Sequence, residues 1–383
     1  MDRRPLGAPL REDRRRDGLA RAEAVASGAR IARRLIAAGV AVALAAALAT
    51  WLVLRQRPPE RTQPHAGLLV GVDDDTLKWT AHPLAVVRWQ RALGARAVRV
   101  WVPWSGERAP SGARRDELAR AEQAARRTSV VLAVFGFARS TPSTPRGRAR
   151  YCGYARRVLD LVPDARAIVV WNEANSPTYW HGTPSTYAAL LARCYDELHR
   201  RGLTVLDSTA SAHEPERFLE RVGEAYRKSG RTRPLVDAFG HNPYPASDDE
   251  PPAATHARGF LGIGDYARLA RVIRSSFGRP YDVWYLEDGY QSSVPRPLAR
   301  RYSGRENVGV VAPSVQARRL ADAIALAACQ HGVRAFFNFE LVDETRLAGW
   351  QSGLVWRGVH RKPAARAFAR AARSAASGCG TRP

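Results

Sequence analysis

Lysine is nearly absent: Lys78, Lys228 and Lys362 are the only three in a chain of 383 residues. The 60 basic side chains are therefore almost all arginine, and against 36 acids they give a formal net charge of +24. A charge of that size points to nucleic acid when it forms a basic stripe. Here the arginines are scattered and accompanied by abundant alanine, as GC-rich codon usage produces at solvated positions, so no nucleic-acid partner is expected. Cysteine is scarce too. Cys152, Cys194, Cys329 and Cys379 form no CxxC pair and no zinc-finger spacing, which excludes a structural zinc site of that kind. Glycine and proline show no collagen-like period, and a hydrophobic fraction of 45% is too high for a disordered chain.

Long apolar runs are also missing, with one exception. Leu35 to Leu54 is twenty residues without a charge, bracketed by Arg33-Arg34 and Arg55. As a helix it would reach about 30 Å, the thickness of a bilayer's hydrocarbon core. Residues 1–34 hold ten arginines against five acids, so this end is expected to stay cytoplasmic. The sequence thus divides into a basic cytoplasmic segment (1–34), a transmembrane anchor (35–54), a Pro-rich linker (55–65) and an exported domain (66–383). The alternative is a secreted product cleaved near Ala49, where Ala47-Leu48-Ala49 fits signal peptidase. Four cysteines in an exported chain suggest two disulfides, with three possible connectivities. Pairing Cys152 with Cys194 and Cys329 with Cys379 requires only neighbouring elements to meet.

From Ala66 onward one unit repeats. Short runs rich in β-branched and aromatic residues alternate with helical stretches, the pattern of a parallel sheet with crossover helices. The strands are expected at Leu68–Val72, Ala97–Trp101, Val130–Phe135, Ala167–Trp171, Thr204–Ser208, Val236–Gly240, Val283–Glu287 and Ala335–Phe339. Helices should follow near 83–93, 114–127, 147–160, 184–200, 214–229, 264–276, 314–331 and 363–375. Gly94, Gly202 and Gly332 each fall between a helix and the next strand, where a left-handed residue can end the helix. Eight such units make an α/β fold, a (β/α)8 TIM barrel, preceded by the single N-terminal transmembrane helix. No Gly-rich phosphate loop follows the first strand, so no nucleotide site is expected.

In such a barrel, functional side chains gather where strands turn into loops at their C-terminal ends. The second strand carries Arg99 and leads to Trp104. The fourth ends Trp171-Asn172-Glu173. The sixth leads into His241-Asn242-Pro243-Tyr244, and the seventh ends at Glu287-Asp288. Two glutamates at the ends of strands four and seven are the paired carboxylates that glycoside hydrolysis needs, one giving a proton and one attacking the anomeric carbon. Tryptophans and tyrosines nearby, including Trp104 and Trp350, suit stacking on sugar faces. Asp288 should point away from Glu287 by strand alternation. Asp73-Asp74-Asp75 reads as a solvated loop, and neither a metal nor a cofactor is expected.

These residues carry a resemblance. From about Leu68 to Arg370 the sequence resembles a clan A glycoside hydrolase, in the cellulase-like and β-xylosidase-like group. The most specific match is Trp171-Asn172-Glu173 closing an apolar strand. The resemblance implies Glu173 as acid/base, Asn172 as partner of the sugar 2-hydroxyl and Glu287 as nucleophile. It further implies Arg99 as the group holding that nucleophile ionised and Tyr244 as the strand-six aromatic. His241, read from its place at the end of strand six, is either a substrate contact or a satisfied polar residue. The segment Trp350–Leu354 followed by Arg361-Lys362-Pro363-Ala364 is similar to the family's closing segment. Expected is an exported, membrane-anchored retaining glycosidase acting on a poly- or oligosaccharide. The alternative is a catalytically weak barrel that binds cell-wall polysaccharide.

Overall fold

The computed structural model describes residues 67–379. The expected cytoplasmic segment, anchor, linker and cleavage site lie outside the described residues. Among the described residues no helix is long and apolar enough to cross a membrane.

Strands and helices alternate as the sequence pattern requires. The first half runs β1 (Leu69–Asp73), α1 (Pro83–Ala92), β2 (Ala97–Pro103), α2 (Ala113–Ala125), β3 (Ser129–Phe135), α3 (Pro145–Leu161), β4 (Ala167–Val170) and α4 (Pro184–Leu198). Then come β5 (Thr204–Leu206), β6 (Thr209–Ala210), α5 (Pro215–Lys228), β7 (Phe239–Asn242), α6 (Tyr266–Phe277), β8 (Val283–Asp288), α7 (Pro313–Cys329) and β9 (Val333–Phe339). A small antiparallel pair, β10 (Val355–Trp356) and β11 (His360–Arg361), precedes α8 (Pro363–Ala375). Six of these helices start on a proline, whose fixed φ suits a first helical turn and whose missing N–H costs nothing there. Thr144 and Thr183 cap two of them, accepting hydrogen bonds from Gly147 N at 3.0 Å and Thr186 N at 3.1 Å.

All nine large-sheet strands are parallel, in the order β5-β4-β3-β2-β1-β9-β8-β7-β6. Only Asp207-Ser208 separates β5 from β6, so these two are one barrel strand interrupted at its middle. Leu206 bridges to Ala238, and the eight-membered ring closes there. Gly240 is required at this seam, since a Cβ on it would lie 2.1 Å from the Asp207 carbonyl oxygen. Val98, Val100, Leu132, Val134, Ile168 and Val170 are fully buried, as strands covered by helices outside and packed inside must be.

Two expectations need correction, and the disulfide pairing is as expected. Gly94 and Gly202 take positive φ (96° and 89°), but Gly332 does not. Its glycine is explained by closeness, because a Cβ would meet the Tyr266 hydroxyl at 2.5 Å. The sixth barrel strand begins at Phe239, three residues later than expected. The disulfides are Cys152–Cys194 and Cys329–Cys379, with Cα–Cα distances of 5.0 and 4.5 Å. The first joins α3 to α4 and the second ties the end of α7 to the chain beyond α8.

Candidate active site

Arg99 sits inside the barrel on β2 with 2% exposure and is the hub of the site. Its Nη1 donates to Glu287 Oε1 at 2.6 Å and to Asp73 Oδ2, and its Nη2 donates to Asn172 Oδ1 at 2.8 Å. One guanidinium thus binds the C-terminal ends of β1 and β8 and the segment after β4. Burial alone would discourage the Arg99 charge, but Asp73 and Glu287 outweigh it and hold the group protonated. Burial also pushes the Asp73 carboxyl well above its usual range, and the nearby Glu287 adds to that push. Tyr244 donates its hydroxyl to Glu287 Oε2 at 3.3 Å, so each oxygen of Glu287 has a donor.

Glu173 follows β4 on a bend where Trp171 and Glu173 adopt positive φ (69° and 40°). Left-handed backbone at non-glycine residues is strained and collects at functional sites. The bend is held from several sides. Trp171 Nε1 donates to the Tyr179 carbonyl at 2.8 Å, Glu173 N to Ser208 Oγ at 3.3 Å, and Ser208 Oγ to Asn172 Oδ1 at 3.3 Å. Asn242, from the end of β7, donates Nδ2 to Glu173 Oε1 at 2.9 Å. Burial, then repulsion from Glu287, raises the Glu173 carboxyl to about 7.

Aromatic rings flank these groups on two sides. Tyr244 and Phe339 pack with half-buried Trp350, at centroid distances of 5.1 Å (Tyr244–Trp350) and 5.2 Å (Phe339–Trp350). Opposite in sequence origin, Phe137 stacks on Tyr179 at 5.8 Å and meets Trp101 edge-on at 6.0 Å. The Tyr179 hydroxyl is raised, first by burial and then by the charges of Glu287 and Glu173. Phe137 is 46% exposed.

The structure therefore brings Glu173, Glu287, Arg99, Asn172, Tyr244 and Trp350 together, and leaves two expected members elsewhere. His241 is fully buried. Its Nδ1 pairs with Thr209 Oγ1 at 3.0 Å and its Nε2 with the Leu261 carbonyl at 2.8 Å, so both nitrogens serve the fold. Trp104 is a core residue, packed edge-on against Tyr151 at 5.2 Å, with its Nε1 donating to the Glu107 carbonyl at 3.0 Å. The acidic run after β1 is not solvated either. Asp73 binds Arg99, Asp74 accepts from Thr76 N at 2.8 Å and Leu341 N at 3.3 Å, and Asp75 accepts from Trp101 N at 2.9 Å. Among the described residues no cluster suits a metal ion. Sequence reasoning missed Asp73, Asn242, Tyr179 and Phe137. A signal existed for the first two, since each closes a barrel strand.

The parallel eight-stranded barrel is a fold shared with solved glycoside hydrolases. The chain is similar to a family 39 glycoside hydrolase from Bacteroides cellulosilyticus WH2, at TM-score 0.60 and 17% identity over 80% of this chain, spanning 64% of that one. It is also similar to two subfamily 18 members of glycoside hydrolase family 5. One, from Bifidobacterium longum subsp. infantis, has TM-score 0.59 and 15% identity over 81% of this chain and 79% of that one. The other, from Streptomyces cattleya and solved with GlcNAc, has TM-score 0.59 and 18% identity over 81% and 80%. No family model and no curated protein matches the sequence. What the chain shares with these enzymes is their fold.

Proposed function

We propose that this chain is a retaining O-glycoside hydrolase, with Glu287 as nucleophile and Glu173 as acid/base. One observation carries it: two glutamates meet at one barrel mouth in different surroundings, Glu173 buried with the Asn242 amide on one oxygen and Glu287 bound to the Arg99 guanidinium. Glu173 is raised to about 7 by burial and by Glu287, so it can hold a proton near neutrality. Glu287 accepts from the Arg99 guanidinium at 2.6 Å and from the Tyr244 hydroxyl at 3.3 Å, so both carboxylate oxygens are held, which supports the role of nucleophile. Asp73 shares the same Arg99 Nη1.

The chemistry follows in two displacements. A Glu287 carboxylate oxygen attacks the anomeric carbon while the bond to the leaving oxygen breaks and that oxygen takes the Glu173 proton. The ionised Glu173 then removes a proton from water, whose oxygen attacks the same carbon and frees Glu287. Asn172, oriented by Arg99 and Ser208, is in the family the partner of the sugar 2-hydroxyl. The rings of Tyr244, Trp350 and Tyr179 supply apolar faces for a sugar. Two disulfides fit a domain working outside the cytoplasm, in keeping with an anchor at residues 35–54.

The test is a panel of aryl glycosides with product stereochemistry followed by NMR. Wild type should release sugar with retained configuration. Glu287→Gln should lower kcat by at least about a thousandfold with an unchanged melting temperature. Inverted product, or full activity in Glu287→Gln, refutes the double displacement; no hydrolysis of any panel member refutes the enzyme.

A further inference from the structure

The far end of the barrel carries a second recess, of about 440 Å³. Arg96, Arg127 and Arg166 immediately precede β2 and β4 or lie just before β3, and Arg91 is in the last turn of α1. All four line this recess, together with Thr128 and Asp164. It therefore opens at the N-terminal ends of the strands, opposite the glutamate mouth. All four arginines are exposed, and none of their guanidinium groups has a hydrogen-bond or ion-pair partner among the described residues. The one acid present does not neutralise them, because the Asp164 carboxylate faces Arg126, with Oδ2 3.7 Å from its Nε. Some arginines elsewhere are paired, as Arg231 and Arg233 are with Asp196 and Arg258 with Glu220; what sets these four apart is that they line one recess.

Like charges gathered around one concavity repel one another, and an anion inside it relieves all of them at once. Guanidinium is the side chain best matched to a tetrahedral oxyanion, since its parallel N–H groups bind two oxygens together. We infer that this recess is an anion site for a phosphate group, either free or carried by a lipid headgroup. It is separate from the proposed hydrolytic site and does not depend on it.

The full-length chain in neutral detergent provides the test, with inorganic phosphate as probe and sodium chloride of equal ionic strength as control. Phosphate should raise the melting temperature of wild type saturably, and binding by calorimetry should weaken by at least about tenfold in Arg96→Gln/Arg166→Gln. The paired exposed arginines give the control, since Arg258→Gln should leave phosphate affinity unchanged. Adding phosphatidylglycerol to the micelles separates the sources. Competition with inorganic phosphate assigns a headgroup, whereas phosphate binding without competition assigns the free ion; both support the site. Equal stabilisation by chloride, or undiminished binding in the double variant, overturns it and leaves a solvated basic surface.

Discussion

At the scale of single residues, Glu173 has two pH signatures. As acid it must be protonated, so kcat/KM should fall about tenfold per pH unit above roughly 7, where its proton is lost. Its stability signature has the opposite sense from a salt-bridged carboxylate. The folded chain keeps a proton up to about 7 that the unfolded chain releases near the ordinary carboxylate range. Between those values the native state binds more protons, so stability falls as pH rises. Glu173→Gln removes the ionisation. Melting curves at pH 5 and pH 8 should show the variant losing less stability across that interval than wild type, and parallel losses would refute the raised carboxyl. Residue identity alone exposed Glu173, because tryptophan and asparagine precede it on an apolar strand. It concealed Asp73, whose partner Arg99 lies 26 residues away; a run of three acids reads as solvated until the ring closes. Trp104 and Trp350 could not be told apart either, since both side chains are large and apolar and only packing decides which one stays at the mouth.

Elements were more legible than residues. Alternation of β-branched runs with helical stretches set nearly every strand and helix within two residues of its place. The sixth barrel strand was misplaced because its apolar residues come early and its working end, His241-Asn242, is polar. Below that level, one buried knot holds the segment after β9. Lys362 Nζ lies 2.7 Å from Asp343 Oδ1 and donates to Ser292 Oγ at 3.0 Å and to the Gln351 carbonyl at 2.7 Å, with both charged side chains fully buried. Gln351 adjoins Trp350, so this ion pair fixes the ring that packs on Tyr244. Lys362→Met should cost about 3–5 kcal/mol by stranding Asp343, read by denaturant unfolding. A loss below 1 kcal/mol would show that the segment is held by other contacts. The covalent link between α3 and α4 acts mainly on the unfolded chain. Replacing Cys152 and Cys194 by alanine opens a loop of 42 residues and should lower stability by about 4 kcal/mol. A change within experimental error would contradict that account.

For the whole molecule, the barrel was readable because eight similar units leave few other ways to bury strands that are apolar on both faces. Charge behaves differently at this scale. The chain is strongly basic, yet the mouth gathers three carboxyl groups, Asp73, Glu173 and Glu287, about a single arginine. Composition therefore reports on the surface and says little about the cleft.

Ring closure joins β1 to β9, the first strand of the barrel to its last, and Leu68 N donates to the Ala375 carbonyl at 2.9 Å. A chain emerging from a ribosome or a translocation channel thus cannot complete this barrel part-way. Until β9 has emerged, β1 has a bare edge and the Arg99 hub lacks its full enclosure. Nascent chains arrested before residue 333 should be open sheets in need of protection, and the domain should become protease-resistant in one late step.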